Sequence, residues 1–122
     1  NISRIEVVKI TPQINPNEPV ETLISDVWKS FECSPSQQGC EFEFIDEDYE
    51  KESRDSIYYV RAIQEASPVI NAGNLRCTYN DEGECIKVNI CYGDSRTDKD
   101  DDCLTLSEER AWSSPIYVNY KI

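Results

Sequence analysis

The densest group of ligand-type side chains is Asp94, Asp98, Asp100, Asp101 and Asp102, in the run Gly93-Asp94-Ser95-Arg96-Thr97-Asp98-Lys99-Asp100-Asp101-Asp102. Carboxylates are hard oxygen donors, and Ca²⁺ takes roughly six to eight such ligands. The run lacks the central Gly and the closing Glu of an EF-hand loop, and Arg96 and Lys99 offset part of its charge. We therefore expect a solvated acidic loop, with Ca²⁺ at Asp94, Asp98, Asp100 and Asp102 as the alternative. A second group joins Arg61 and Arg110 to Glu65, Glu108 and Glu109. Arg61 lies in an apolar run, where a charge needs a partner, and the expected arrangement is a structural Arg61–Glu109 ion pair. Trp28 and Trp112 are the third candidate, as a platform for a sugar or polymer. Buried aromatics are more often core, which is the expectation here.

Some chemistry is excluded outright. The chain contains no His, so it offers neither a Ser-His or Cys-His nucleophile system nor a His-ligated metal site. Carboxylate-only chemistry of the glycosidase kind stays open on composition, since 24 acids supply many pairs. No catalytic residue is assigned, and no cofactor is expected beyond the Ca²⁺ alternative.

The six cysteines, Cys33, Cys40, Cys77, Cys85, Cys91 and Cys103, contain no Cys-x-x-Cys pair and match no zinc-finger spacing. An even count in a short acidic chain reads as a disulfide framework formed in an oxidising compartment, periplasmic or secreted. Sequential pairing is favoured because neighbouring cysteines bracket turns: Ser34–Gly39 between the first two, Asn80-Asp81-Glu82-Gly83 between the next, and the acidic loop between the last. The rival connectivity joins Cys77 to Cys91 and Cys85 to Cys103.

At 122 residues the chain fits one domain with one core. Its 24 acidic against 12 basic residues, a formal charge of −12, oppose binding to nucleic acid or to anionic membranes. No apolar run approaches the roughly 18 residues of a spanning helix, and no membrane insertion is expected. The sequence carries no Met, and the expectation is a processed product or part of a longer exported protein.

The elements that must position these groups are mostly strands. Asp55–Glu65 is the most strongly patterned segment: Tyr58, Val60 and Ala62 share one face, and Ile57, Tyr59, Arg61 and Ile63 the other. Both faces are largely apolar, which predicts a strand interior to its sheet. Ile2–Ile10 is predicted as an edge strand ended by Thr11-Pro12, and the Pro-rich stretch 13–19 as unpaired surface chain. Val20–Ile24 is too short to assign. Glu41–Asp46 alternates Phe42 and Phe44 with acids, predicting a half-exposed strand. Asp46–Asp48 can open a helical turn. Residues 66–114 read as an insertion containing a hairpin, Leu75–Tyr79 with Glu84–Ile90, and a helical turn starting at Ser107. Ile116–Ile122 is predicted as an amphipathic strand.

Two blocks carry a resemblance: Tyr58-Tyr59-Val60-Arg61-Ala62 with Pro68 following, and Glu108-Glu109-Arg110-Ala111-Trp112-Ser113-Ser114-Pro115-Ile116-Tyr117. With the Ile5–Lys9 strand, they resemble the carboxy-terminal region of a large bacterial family of unknown function. The amino-terminal part of that family looks like polymerase-and-histidinol-phosphatase (PHP) type metallohydrolases. The resemblance implies that the family's metal ligands lie in a part absent from this sequence, and that the Cys-rich insertion marks a subgroup.

The fold expectation is all-β: an immunoglobulin- or fibronectin-like sandwich over residues 1–122, with a disulfide-stapled hairpin insertion and one or two helical turns. The functional expectation is a non-catalytic accessory domain that packs on, or orients, the remainder of an exported metallohydrolase-like polypeptide. A carbohydrate- or polymer-binding module and a Ca²⁺-dependent adhesion domain are the alternatives.

Overall fold

The computed structural model describes residues 1–35, 38–72 and 76–122. The chain divides into two compact units, Asn1–Gln64 with Arg110–Ile122, and Glu65–Glu109.

The first unit is built on β1 (Ile2–Ile10), β2 (Ile24–Glu32) and β3 (Ser56–Gln64). Two short strands follow much later in the chain, a 110–112 strand and a 116–118 strand. All five make one antiparallel sheet in the order β2, β1, β3, with both short strands pairing along the far edge of β3. The break between them falls at Ser113-Ser114-Pro115. There the Ser113 N–H donates to the Val60 carbonyl at 2.8 Å, and the Ser113 Oγ accepts from the Val60 N–H at 2.9 Å. A serine hydroxyl oxygen thus stands in for a backbone carbonyl acceptor at the break between the two short strands.

β3 is interior, as its two apolar faces predict. β1 is interior too, which corrects the edge-strand expectation: residues 24–32 form a full strand along its outer side. The register explains the sheet's two surfaces. Ile5 faces Ala62, Val7 faces Val60 and Lys9 faces Tyr58 on one surface; Glu6 faces Arg61 and Val8 faces Tyr59 on the other. Val7, Val8 and Ile63 are fully buried, so each surface carries buried apolar side chains. Between Val7 and Lys9 the β2 register slips, leaving Asp26–Trp28 opposite Val8. Such a bulge re-aims side chains, and Trp28 comes to stack on Tyr58 at 5.6 Å.

Two helical turns occur among the described residues, a 3₁₀ turn at Val20–Leu23 and a four-residue α1 at Tyr49–Glu52. Glu41–Asp46 carries no strand, contrary to its alternation. Its Phe42 and Phe44 rings lie over β2 instead, stacked on Phe31 at 4.8 and 6.0 Å. Side-chain packing satisfies the apolar pattern without ladder pairing.

The second unit holds β4 (Ser67–Ile70), β5 (Cys77–Tyr79), β6 (Cys85–Val88) and β7 (Leu104–Ser107). Continuing in chain order, the 110–112 strand of the first unit is β8 and the 116–118 strand is β9. β4 pairs with β7, and β5 with β6, as two separate two-stranded ribbons. The predicted hairpin is present, although Leu75 lies outside the described residues. Its turn is held by the Asn80 Oδ1, which accepts from the Glu82 and Glu84 N–H groups, and by Gly83 at φ +82°. Ser107 ends β7 and starts no helix. The expected strand Ile116–Ile122 shortens to β9.

The disulfides are Cys33–Cys40, Cys77–Cys85 and Cys91–Cys103. This is the sequential pairing, not the rival connectivity. Ala72 is the one buried apolar residue of the second unit among the described residues. Crosslinks hold this unit where a core of its size cannot. The class is all-β, as expected. Strand pairing does not extend that agreement to the sandwich type.

Candidate functional site

On the first surface of the sheet, β1 projects Lys9 and β3 projects Tyr58 side by side. The loop before α1 brings Asp46 to both. The Lys9 Nζ lies 2.7 Å from the Asp46 Oδ2 and 2.6 Å from the Glu52 Oε2, and the Tyr58 hydroxyl donates to the Asp46 Oδ2 at 2.5 Å. Lys9 is buried and Asp46 largely so, their side chains 5% and 10% exposed, while Glu52 is 38% exposed.

Burial opposes the charge on Lys9, but its bonds to Asp46 and Glu52 outweigh that and raise its pKa above the ordinary lysine value. Burial likewise opposes ionisation of Asp46, and the Lys9 and Tyr58 bonds reverse the balance and lower its pKa. Burial and the bond to Asp46 push the Tyr58 phenol up to about 12. Near neutral pH Lys9 is therefore an ammonium with no free lone pair, and Tyr58 keeps its proton. Neither is poised as nucleophile or base. The cluster ties the segment 46–52 to the sheet.

An open cleft of about 880 Å³ adjoins this surface, lined by Lys29, Phe31, Phe42, Glu43, Phe44, Ile45 and Glu47. Trp28 stands behind it, edge-on to Phe44 at 5.7 Å, with the Lys29 ammonium 4.7 Å from its ring centre. Trp28 is thus a half-buried packing residue. Trp112 is 63% exposed and faces Arg61 across the β3–β8 pair. The Arg61 side is the opposite surface from Lys9 and Tyr58, so Trp28 and Trp112 do not form one platform.

Arg61 is the clearest correction. Expected to pair with Glu109, it is instead held by Glu6, its direct cross-strand neighbour, at 2.5 Å, and by Asp26 at 2.6 Å. Glu6 also takes a 2.9 Å bond from Arg4. Burial works against ionised Glu6, but the two guanidinium groups prevail and lower its pKa. The antiparallel β1–β3 register decides this partner, and the sequence separation of 55 residues conceals it.

In the second unit the acidic loop does not gather into a cation site. The Asp94 carboxylate is taken by Arg96 at 2.7 Å, Asp101 pairs with Arg76, and the Asp102 Oδ1 accepts the Leu104 N–H. Among the described residues, one group of metal-type ligands converges, Cys91, Asp101 and Cys103. Its two sulfurs are spent in a disulfide, and a bonded cystine supplies no thiolate ligand. Asp94, Asp98, Asp100 and Asp102 are thus not brought together.

Sequence reasoning missed Lys9, Asp46, Glu52 and Tyr58 as a group. The signal was available: Lys9 continues the Ile5, Val7 alternation, so it is a charge on a core-facing position and demands a buried partner. Glu6, which shares the apolar Val8 and Ile10 face, was readable in the same way as the counterpart of Arg61.

Fold and site together define an all-β, disulfide-bonded protein, and its three disulfides point to an oxidising compartment. No helix among the described residues is long and apolar enough to cross a membrane. No protein-family model, curated protein or solved structure matches this chain.

Proposed function

We propose that this region is a non-catalytic accessory domain of a longer, periplasmic or secreted protein, packing on the remainder of its own polypeptide. The resemblance at β3 and at Glu108–Tyr117 makes a PHP-type metallohydrolase the suggested partner portion. The supporting observation is uncovered apolar surface. Trp112 and Tyr117, on the Arg61 surface of the successive edge strands β8 and β9, are 63% and 68% exposed, and Ile116 on the opposite surface is 59% exposed. The chain exposes 9353 Å², against about 8,000 Å² for two separate compact bodies of the units' sizes. That surplus is of the order a protein interface covers. The inward-facing charges Lys9, Asp46, Glu6 and Arg61 are engaged in ion pairs, which suits a scaffold.

The test is hydrogen exchange of this region alone and within its full reading frame. Protection of β8 and β9 in the longer protein supports the reading; identical exchange in both sinks it.

The Phe31, Phe42 and Phe44 cleft favours a second reading, a carbohydrate- or polymer-binding module. Soluble glycans that quench Trp28 fluorescence, with the effect lost in Phe42→Ala, would support it; unchanged fluorescence across a glycan panel would remove it.

A further inference from the structure

The β4–β7 ribbon turns an apolar face outward. Its register sets Pro68 opposite Leu106 and Ile70 opposite Leu104, and directly opposed residues share a face. Ile70, Leu104 and Leu106 on that face are 65%, 44% and 61% exposed, whereas Ser67, Val69, Thr105 and Ser107 on the other are half-buried. The inward face holds the smaller and more polar residues, the reverse of what a ribbon folded only for its own unit would show.

Acids frame this apolar stripe at both ends. The antiparallel register places Glu65 and Glu109 beyond the Ser67–Ser107 pair, and Asp100 and Asp102 beyond the Ile70–Leu104 pair. Between Glu65 and Glu109 the unit has eleven acidic and four basic residues, and two of the basic ones, Arg76 and Arg96, are already paired to Asp101 and Asp94. The charge around the stripe is therefore strongly negative and largely uncompensated.

We infer that the β4–β7 face is a docking surface for a partner protein segment that is apolar in its middle and basic at its flanks. Charge complementarity selects this occupant. A second copy of the chain would bring another −12 against the same acidic frame, and nucleic acids and anionic lipid surfaces are repelled for the same reason. Apolar contacts supply the affinity and the flanking pairs supply orientation and encounter rate. The inference does not depend on the accessory-domain reading, because the segment can belong to any partner.

The experiment uses the whole 122-residue chain and three synthetic peptides of equal length: a Leu centre with Lys flanks (Lys-Leu), a Ser centre with Lys flanks (Lys-Ser) and a Leu centre with Glu flanks (Glu-Leu). Binding is followed by fluorescence anisotropy at low and high salt, and self-association by sedimentation. The Lys-Leu peptide is expected to bind, weakening about tenfold or more between low and high salt. Ile70→Ser/Leu106→Ser should weaken it at least about tenfold, since two exposed apolar contacts are lost. Asp100→Asn/Asp102→Asn should reduce both affinity and salt sensitivity. All four positions are exposed, so the variants should retain the wild-type circular dichroism spectrum and urea midpoint. Equal binding of Lys-Ser and Lys-Leu, equal binding of wild type and Ile70→Ser/Leu106→Ser, absence of Lys-Leu binding, or dimerisation abolished by Ile70→Ser/Leu106→Ser would each overturn the inference.

Discussion

Substituting Lys9→Met removes the cation that Asp46 and Glu52 share, while keeping an apolar stem of similar length in the sheet. Breaking a buried pair from one side costs about 3–5 kcal/mol, because the other charge stays buried and unmatched. Glu52 is 38% exposed and recovers its hydration, so the burden falls on Asp46, and the expected loss is about 3 kcal/mol at pH 7. Against a total stability of about 5–15 kcal/mol for a domain, that shift is large. The assay is urea unfolding read by Trp28 fluorescence in a Trp112→Phe background. Trp28 reports directly, since it stacks on Tyr58 and lies 5.5 Å from the Lys9 ammonium.

The pH dependence supplies a sharper test of the same variant. In the wild type the lowered Asp46 pKa gives stability present above the unfolded value of 3.8 and lost as pH falls through the folded value. The raised Lys9 pKa gives stability fully present below 10.5 and lost only as pH rises through its folded value. In Lys9→Met, Asp46 loses the ammonium that helped lower its pKa, while burial still opposes its charge and the bonds from the Tyr58 hydroxyl and the Asp48 N–H remain. Its pKa therefore rises relative to the wild type, and the variant loses less stability in acid. The gap between the two proteins should be widest at neutral pH and should narrow as pH falls through the carboxylate range, because the wild type has more Asp46-linked stability to lose. Adding Asp46→Asn should restore part of the loss, since both charges are then gone. A loss below about 1 kcal/mol at pH 7, or a gap that does not narrow in acid, would refute the assignment of Lys9 as the buried tie.

Arg61→Met should cost about 2 kcal/mol by the same assay, less than Lys9→Met because Arg4 still holds Glu6; Glu109→Gln should stay within about 0.5 kcal/mol. Calorimetric titration with millimolar Ca²⁺ should give no binding heat, because Asp94 and Asp101 are held by Arg96 and Arg76 and the remaining carboxylates do not converge. Cys91→Ser/Cys103→Ser should cost about 3 kcal/mol by the loop-entropy argument, with hydrogen exchange rising in β4 and β7 and unchanged in β1 and β3. The hydrogen bonds from Arg54 and the Ile14 N–H hold the Glu18 carboxyl at about 2; carbon-detected NMR titration should return it toward 4.5 in Arg54→Gln. The stability linked to Glu18 is present above 4.5 and lost as pH falls toward 2.

The strands were legible where side-chain alternation and burial agreed. β3 was readable as interior because both of its faces are apolar, and β1 because its β-branched run ends at Thr11-Pro12. β2 was not readable: Ile24–Glu32 mixes Ser25, Asp26, Lys29 and Ser30 among its apolar residues, and the bulge at Asp26–Trp28 breaks the alternation. Its absence from the sequence reading is what made β1 look like an edge. The opposite error occurred at Glu41–Asp46, where a clean alternation reflects two Phe rings packing on Phe31 and no ladder forms. Periodicity reports which side of a segment is dry, and that dryness does not require a hydrogen-bonded neighbour. β4 and β7 fell below detection because each is four residues long and one carries Pro68.

The charged residues divide along a similar line. That Arg61 needed a partner followed from its apolar neighbours alone, and the same logic applies to Lys9 and Glu6. Which partner each would take did not follow, because Glu6 meets Arg61 through strand register, and Asp46 meets Lys9 through the fold of a loop 37 positions away. The expectation of Glu109 required a helical turn at Ser107 to bring it alongside Arg61, but Ser107 ends β7 instead, and cross-strand opposition decides the partner. This distinction also bears on function. Lys9, Asp46, Glu6 and Arg61 look chemically promising in sequence, yet each is neutralised within the first unit and is committed to holding it together. The charge left for recognition is the acidic excess of the second unit, set around the β4–β7 ribbon and its solvent-facing apolar side.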